Sequence, residues 1–284
     1  MPIVSMPQIL GPAFEGRYGV AAFNIVDDVT MSGILAAAVE ARSPVIIEVS
    51  VKTVVMWGAK LIQVMFAEMA RDLPIPTTLH LDHCPERQVI EDCLAAGWNS
   101  VLFDGSKLSY EENLKQTKEV VALAKGYGAA VEGELEAIKG VEDGVGDEYG
   151  GPQVALERAL AFIRETGIDS FAAGIGTAHG LYKETPKINF ERVSEIVAAE
   201  PIPLVLHGGT GLSEEVFKEL ISRGEAKVNI STRLKIVMAD AYNAYLTARP
   251  TEYNPLKLLG AVQADVKAMA KNFFRIFGSE GRAS

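Results

Sequence analysis

The stretch Val20-Ala21-Ala22-Phe23-Asn24-Ile25-Val26-Asp27-Asp28 decides between two folds. Its first five residues are apolar up to Asn24 and read as a strand. A doubly wound dinucleotide-binding sheet would follow its first strand with a GxGxxG turn. Here Ile25-Val26-Asp27-Asp28 follows instead, and helical periodicity begins over 30–41. The same unit recurs along the chain. Strands are expected at 20–24 (VAAFN), 45–50 (VIIEVS), 77–82 (TTLHLD), 100–104 (SVLFD), 129–134 (AAVEGE), 170–174 (SFAAG), 203–207 (PLVLH) and 226–230 (AKVNI). Helices are expected at 30–41, 59–72, 86–96, 110–127, 153–166, 190–199, 213–222 and 233–246. Gly97, Gly128, Gly167 and Gly224 suit the left-handed stop of the helices before them. Eight β/α units predict an α/β fold, a single (β/α)8 TIM barrel forming one domain over 1–284.

Composition narrows the function. The 284 residues carry 27 Lys and Arg against 37 Asp and Glu, a net charge of −10. Such an acidic chain offers no broad nucleic-acid surface, because phosphate neutralisation needs clustered cations. Hydrophobic residues make up 48%, enough for a large core. Only two cysteines occur, Cys84 and Cys93, so there is no disulfide scaffold. No signal peptide and no run of about 18 apolar residues is visible. The expectation is a cytoplasmic protein without a membrane span.

A barrel should carry its chemistry at the C-terminal ends of its strands, where the βα loops gather. Every expected strand delivers polar groups there: Asn24, Ser50, Asp82-His83, Asp104-Gly105-Ser106, then Glu132, Glu134 and Glu136, then Thr177 to Gly180, His207-Gly208-Gly209, and Asn229 to Thr232. Three of the four histidines, His83, His179 and His207, fall at this face. Each alone would read as a satisfied or capping histidine. Three converging on one mouth read better as a catalytic metal site with open positions. His80 lies two residues before Asp82, on the same side of the strand, and reads as a supporting or core group rather than a ligand.

Loops after the seventh and eighth strands, His207-Gly208-Gly209-Thr210-Gly211 and Asn229-Ile230-Ser231-Thr232, have the makings of a phosphate cradle. Glycines there could also merely turn the chain; Ser231 and Thr232 favour phosphate. The long loop 139–152 contains five glycines and reads either as a lid, with Glu142 swinging inward, or as a solvated acidic loop.

These residues are where the chain resembles the class II, zinc-dependent fructose- and tagatose-bisphosphate aldolases. The similarity lies in AFN at 22–24, HLDH at 80–83, DGS at 104–106, VEGELE at 131–136, GVEDG at 140–144, GTAHGLYK at 176–183, LHGGTG at 206–211, VNIST at 228–232 and FGSEGRA at 277–283, across essentially the whole chain. The resemblance implies a lyase of carbohydrate metabolism, cleaving a phosphorylated ketose to dihydroxyacetone phosphate and an aldehyde. It implies that His83, His179 and His207 hold a catalytic Zn2+. Asp104 and Glu134 match positions that can hold a second or displaced metal. Asp82 matches the catalytic acid, and Glu142 the lid glutamate of proton transfer. Asn24, Ser50, Gly180, Gly208, Gly209, Thr210, Asn229, Ile230, Ser231 and Thr232 match substrate contacts, and Lys183 is a candidate for anions or a monovalent cation. A homodimer or homotetramer is expected, with no nucleic-acid or membrane partner.

The chemistry suits these residue types. Zinc polarises the carbonyl beside the carbanion of retro-aldol cleavage, and Asp82 can exchange the C4 hydroxyl proton. Alternation sends Asp82 and His83 to opposite faces, so both reach the site only if the strand ends near Asp82. The other aldolase strategy, a Schiff base, needs a lysine near the C-terminal face of the barrel. No strand core offers one, and Lys227 sits at the start of its strand.

Two departures concern the aldehyde end. Arg233 stands where the family usually has an acid, and Leu256 stands in the place of an arginine that grips the distal phosphate. Arg233 either binds an anionic substrate group or points outward as the first residue of a helix. A relative acting on a ketose 1-phosphate with a carboxylate or sulfonate tail is therefore an alternative. A zinc hydrolase on the same barrel ranks lower, because it would not need the phosphate cradle.

Overall fold

A computed structural model describes residues 2–142, 145–147, 151, 153–182 and 184–283, with the backbone alone at 141, 142 and 145–147. Eight parallel strands close into a barrel: β1 (Val20–Asn24), β2 (Val45–Ser50), β3 (Thr77–Cys84), β4 (Ser100–Asp104), β5 (Ala130–Glu134), β8 (Ser170–Ala172), β9 (Leu204–Leu206) and β10 (Glu225–Ile230). Their order around the barrel is β1-β10-β9-β8-β5-β4-β3-β2. The short β6 (Gly140–Glu142) and β7 (Val145–Asp147) pair antiparallel inside the long loop after β5.

Helices fill the gaps between strands: α2 (Asp28–Ala41), α4 (Ala59–Ala70), α5 (Arg87–Ala96), α6 (Tyr110–Gly126), α7 (Leu156–Thr166), α8 (Phe190–Ala199), α9 (Glu214–Arg223) and α10 (Thr232–Ala248). Three more were not expected from the sequence: α1 (Met6–Gly16), α3 (Val51–Trp57) and α11 (Pro255–Phe277). Helix α1 closes the floor of the barrel. Its Met6, Ile9, Leu10 and Ala13 pack with Val20, Ala22, Ile46, Ala130 and Ala226 from the lower ends of the strands. Helix α11 lies against α2, and the residues after it return to α2 through hydrogen bonds from Gly281 N to Ala41 O and Ala283 N to Arg42 O. The larger core is the shell between sheet and helices, with Phe23, Phe103, Phe162, Phe171 and Phe274 buried in it. Cys84 and Cys93 are buried free thiols. Among the described residues, no single helix is long and apolar enough to cross a membrane.

Strand β3 departs from expectation. It does not end near Asp82 but runs on to Cys84. Its register against β4 slips between Leu81 and Cys84, and His83 sits at φ +40°. A bulge of this kind breaks alternation, so Asp82 and His83 both face the barrel mouth. A non-glycine residue in that left-handed region is strained by about 1–3 kcal/mol, a cost found mostly where function requires it.

Near the floor, Glu225 at the start of β10 is buried with neither carboxylate oxygen hydrogen-bonded. Burial, reinforced by Glu132, pushes its carboxyl up to about 8. A folded-state pKa above the unfolded value gives full stability below the unfolded pKa, near 4.5, and erodes it as pH climbs toward about 8. Glu225→Gln should remove that slope and be more stable than wild type at pH 8–9 by on the order of a few kcal/mol. Urea titrations of both proteins from pH 5 to 9 measure this. Parallel profiles would show that Glu225 costs nothing when ionised.

Candidate active site

The mouth of the barrel is built from residues two apart on the strands, which share the inner face. Ser50 and Asp82 are register partners on β2 and β3, and Asp104 and Glu134 on β4 and β5. Asp82 is held from two sides by side-chain amides. Asn24 Nδ2 donates to its Oδ2 at 2.8 Å and Asn229 Nδ2 to its Oδ1 at 3.3 Å. Ser50 Oγ lies 3.3 Å from Thr53 Oγ1.

His83, His179 and His207 converge, each buried, with ligand atoms within 4.8 Å of one another. Their ring protons follow from their carboxylate neighbours. His83 Nδ1 lies 3.1 Å from Asp104 Oδ2, and His207 Nε2 lies 2.9 Å from Glu132 Oε1. With those nitrogens donating, His83 Nε2 and His207 Nδ1 are left as acceptors, yet they face each other at 2.8 Å. Two lone pairs cannot share that space without a cation or a proton between them. Carboxylates that orient ligand imidazoles in this way are a recurrent feature of metal sites.

Electrostatics point the same way. Burial would lower the His83 imidazole, but Asp82, Glu134 and Asp104 together hold it well above its ordinary range. Burial, with His83 adding to it, drives His207 well below. Asp104 is pushed up by burial but held well below the usual carboxylate range by His83 and Ser106. Glu134 is raised, by burial first and then by Asp104, and its Oε2 has no hydrogen-bond partner. His83, Asp104 and Glu134 form a second set of ligand atoms within 4.8 Å. The donor set therefore fits Zn2+ at the three histidines, with the two carboxylates as an alternate position.

The glycine-rich loops lie at the same mouth. Gly208 has φ +70°, and a Cβ there would lie 2.4 Å from Ala178 O, so glycine is required by both backbone and space. Gly180 has φ +82°, Gly209 packs beside Phe217, and Thr210 is buried. Ser231 Oγ is buried without a hydrogen-bond partner at the N-terminal end of α10, and Thr232 opens that helix. An unsatisfied hydroxyl at a helix N-terminus suits a phosphate. Ile230 differs: its side chain lies in the outer core, so only its backbone is available to a substrate. Tyr182, quoted in the sequence motif without a role, donates through its hydroxyl to Gly208 O at 2.6 Å and accepts from Ala178 N at 3.1 Å.

Several other expectations resolve. His80 is no ligand of the upper site; its Nδ1 lies 2.7 Å from Ser100 Oγ, one layer down. Glu136 turns away from the mouth to pair with Arg192. Arg233 takes the outward reading: it is exposed and lines a surface groove with Asp240 of α10 and Asp265 of α11. Leu256 is exposed on the first turn of α11. The Glu142 side chain and Lys183 lie outside the described residues. The loop that carries Glu142 is tied to the site at its start, where His179 N donates to Lys139 O at 2.7 Å.

Lys227 corrects the sequence reading. It is not at the edge of its strand but the third residue of β10, with its ammonium buried inside the barrel. Burial would lower its pKa, but Glu132 and Glu48 raise it further, so it stays protonated and is no amine nucleophile. The Schiff-base route is disfavoured on both counts: the lysine lies a layer below the mouth, and it is held as an ammonium.

Known proteins match this arrangement along the full chain. The profile of the fructose-bisphosphate aldolase class-II family matches residues 4–282. The chain is 36% identical over 284 residues to the sulfofructosephosphate aldolase of Alkalicoccus urumqiensis, covering 100% of this chain and 99% of that one. It is 37% identical over 290 residues to the fructose-bisphosphate aldolase of Geobacillus stearothermophilus, covering 100% of both. Among solved structures, the YdjI aldolase of Escherichia coli K12 superposes with a TM-score of 0.88 at 32% identity, covering 99% of this chain and 100% of that one. With this barrel and this histidine cluster, the chain belongs to the class II fructose-bisphosphate aldolase family, a family of aldehyde-lyases.

Proposed function

We propose that the whole chain, residues 1–284, acts as one barrel domain that cleaves and forms a phosphorylated ketose, with dihydroxyacetone phosphate as one product. The observation that carries this reading is the pair of facing acceptors, His83 Nε2 and His207 Nδ1 at 2.8 Å, beside a carboxylate fixed by two amides. His83, His179 and His207 hold Zn2+, with Asp104 and Glu134 as an alternate metal position. The ion supplies Lewis-acid polarisation of the substrate carbonyl. Asp82 takes the C4 hydroxyl proton in cleavage and returns it in condensation. Asn24 and Asn229 aim that carboxylate, and Ser50 lies next to it. Gly180, Gly208, Gly209, Thr210, Ser231, Thr232 and the backbone of Ile230 receive the phosphate. Glu142 serves proton transfer at the other carbon, and Lys183 helps with anions or a monovalent cation. The working protein is a cytoplasmic homo-oligomer, a dimer or tetramer.

The aldehyde end stays open to more than one tail. Leu256 brings no guanidinium, and Arg233 faces the surface groove rather than the mouth. Relatives of nearly equal identity are named for a bisphosphate and for a sulfonated sugar phosphate. The test is release of dihydroxyacetone phosphate from a panel: fructose and tagatose 1,6-bisphosphates, and ketose 1-phosphates with a carboxylate or sulfonate tail. At least one member should turn over and the others fall well behind in kcat/KM. Failure of every phosphorylated ketose, with zinc bound, would reject the reading.

A further inference from the structure

Beneath the three histidines lies a second polar layer of Glu48, His80, Glu132 and Lys227, each at most 1% exposed. At its centre Lys227 Nζ lies 2.7 Å from Glu48 Oε1, 3.0 Å from Glu132 Oε2 and 2.8 Å from Asn229 Oδ1. The ammonium donates hydrogen bonds to Glu48 and Asn229, and its contact with Glu132 is an ion pair. Glu48, His80 and Asp82 could by spacing hold a metal ion, but the ammonium already meets Glu48 in that layer.

Both of the other partners continue to the active site. Glu132 bridges: one oxygen meets Lys227, and the other takes the Nε2 proton of His207 at 2.9 Å. That bond leaves His207 Nδ1 as the ligand atom. Asn229 also bridges. Because its Oδ1 accepts from Lys227, its amide has one allowed orientation, with Nδ2 toward Asp82. Rotated by half a turn, the same amide would set an oxygen against a carboxylate. Asp82 would then keep Asn24 as its remaining amide donor among these contacts.

We propose that Lys227 is a positioning residue for the aldolase reaction, fixing the His207 tautomer through Glu132 and the Asp82 carboxylate through Asn229. The inference rests on the reading of His83, His179 and His207 as a metal site and of Asp82 as the acid–base group. Stability alone gives little reason for this layer. Replacing a buried ion pair by packed apolar groups is often neutral or stabilising. A lysine kept merely to neutralise Glu48 would also have no need to grip Asn229.

The test compares wild type with Lys227→Met and with Glu48→Gln/Lys227→Met, which removes one charge of each sign. Zinc affinity is measured by competition with a chromophoric chelator, kcat and KM separately at saturating zinc, and stability by thermal unfolding. Both variants should bind zinc on the order of tenfold more weakly or worse. They should also lose about a hundredfold in kcat with KM changed little, as expected when a reacting group is displaced by about an ångström. Should Lys227→Met fail to fold around its unpaired carboxylates, the double variant carries the comparison. A folded double variant with wild-type zinc affinity and wild-type kcat, altered only in melting temperature, would overturn the proposal and make the layer structural filler. A wild type that binds no zinc would overturn the metal-site reading and this inference with it.

Discussion

Chelator-treated protein should lose its aldolase turnover by about a thousandfold or more, and added zinc should restore it. Polarisation of a carbonyl by a metal ion lowers the barrier by several kcal/mol, and each 1.36 kcal/mol is tenfold in rate. The fold should survive the treatment. In the metal-free state a proton held by His83 relieves the opposition between His83 Nε2 and His207 Nδ1, with Asp104 and Glu134 beside it. Circular dichroism should therefore change little while activity disappears. His83→Ala, His179→Ala and His207→Ala should each give the same loss and a low zinc content by elemental analysis. His83→Ala should in addition relieve little strain, since alanine is no better placed than histidine at φ +40°. Full turnover in a verified metal-free sample would defeat the assignment.

Asp82→Ala should lower kcat by about 10²–10⁴-fold, the usual range for a general acid–base group, while the protein keeps its zinc. The geometry separates these two properties. The carboxylate of Asp82 faces the amides of Asn24 and Asn229, whereas the ring protons of His83 and His207 go to Asp104 and Glu132. Asp82→Asn should fall nearly as far as Asp82→Ala, because it keeps the shape but cannot take a proton. It also sets a third amide against the two already there. Steady-state kinetics with zinc content measured on the same samples decides the matter. Parallel loss of metal and turnover would place Asp82 among the ligands.

Most of the barrel was readable because strand and helix leave different periods, and because helix-stopping glycines such as Gly97 and Gly167 mark the joints. Residues at the expected strand ends do come together: Asn24 meets Asp82, and His83 meets both Asp104 and His207. What escaped has physical causes. Helix α1 carries Pro7, Gly11 and Pro12, poor helix formers that hide its period, and it is held by burial against the barrel floor rather than by propensity. The bulge at His83 defeats the alternation rule, since a positive φ at a histidine leaves no trace in composition. The lower charged layer did leave a signal. Glu48 and Ser50, His80 and Asp82, Glu132 and Glu134, and Lys227 and Asn229 are polar pairs two residues apart on four strands. Each pair must share the inner face, so the sequence already implied two stacked polar tiers where one was sought.

The sealed floor has a consequence for traffic. With Met6, Ile9, Leu10 and Ala13 packed across its lower end, the barrel is closed at its floor by apolar side chains. Water and protons then reach the buried Lys227 and Glu132 more readily from the mouth than through that floor. A sugar phosphate bound at the mouth, as proposed, would act as a stopper there, isolating the buried charges from bulk solvent for as long as it stays. Exchange of their protons with the medium would then be confined to the intervals between one substrate leaving and the next arriving.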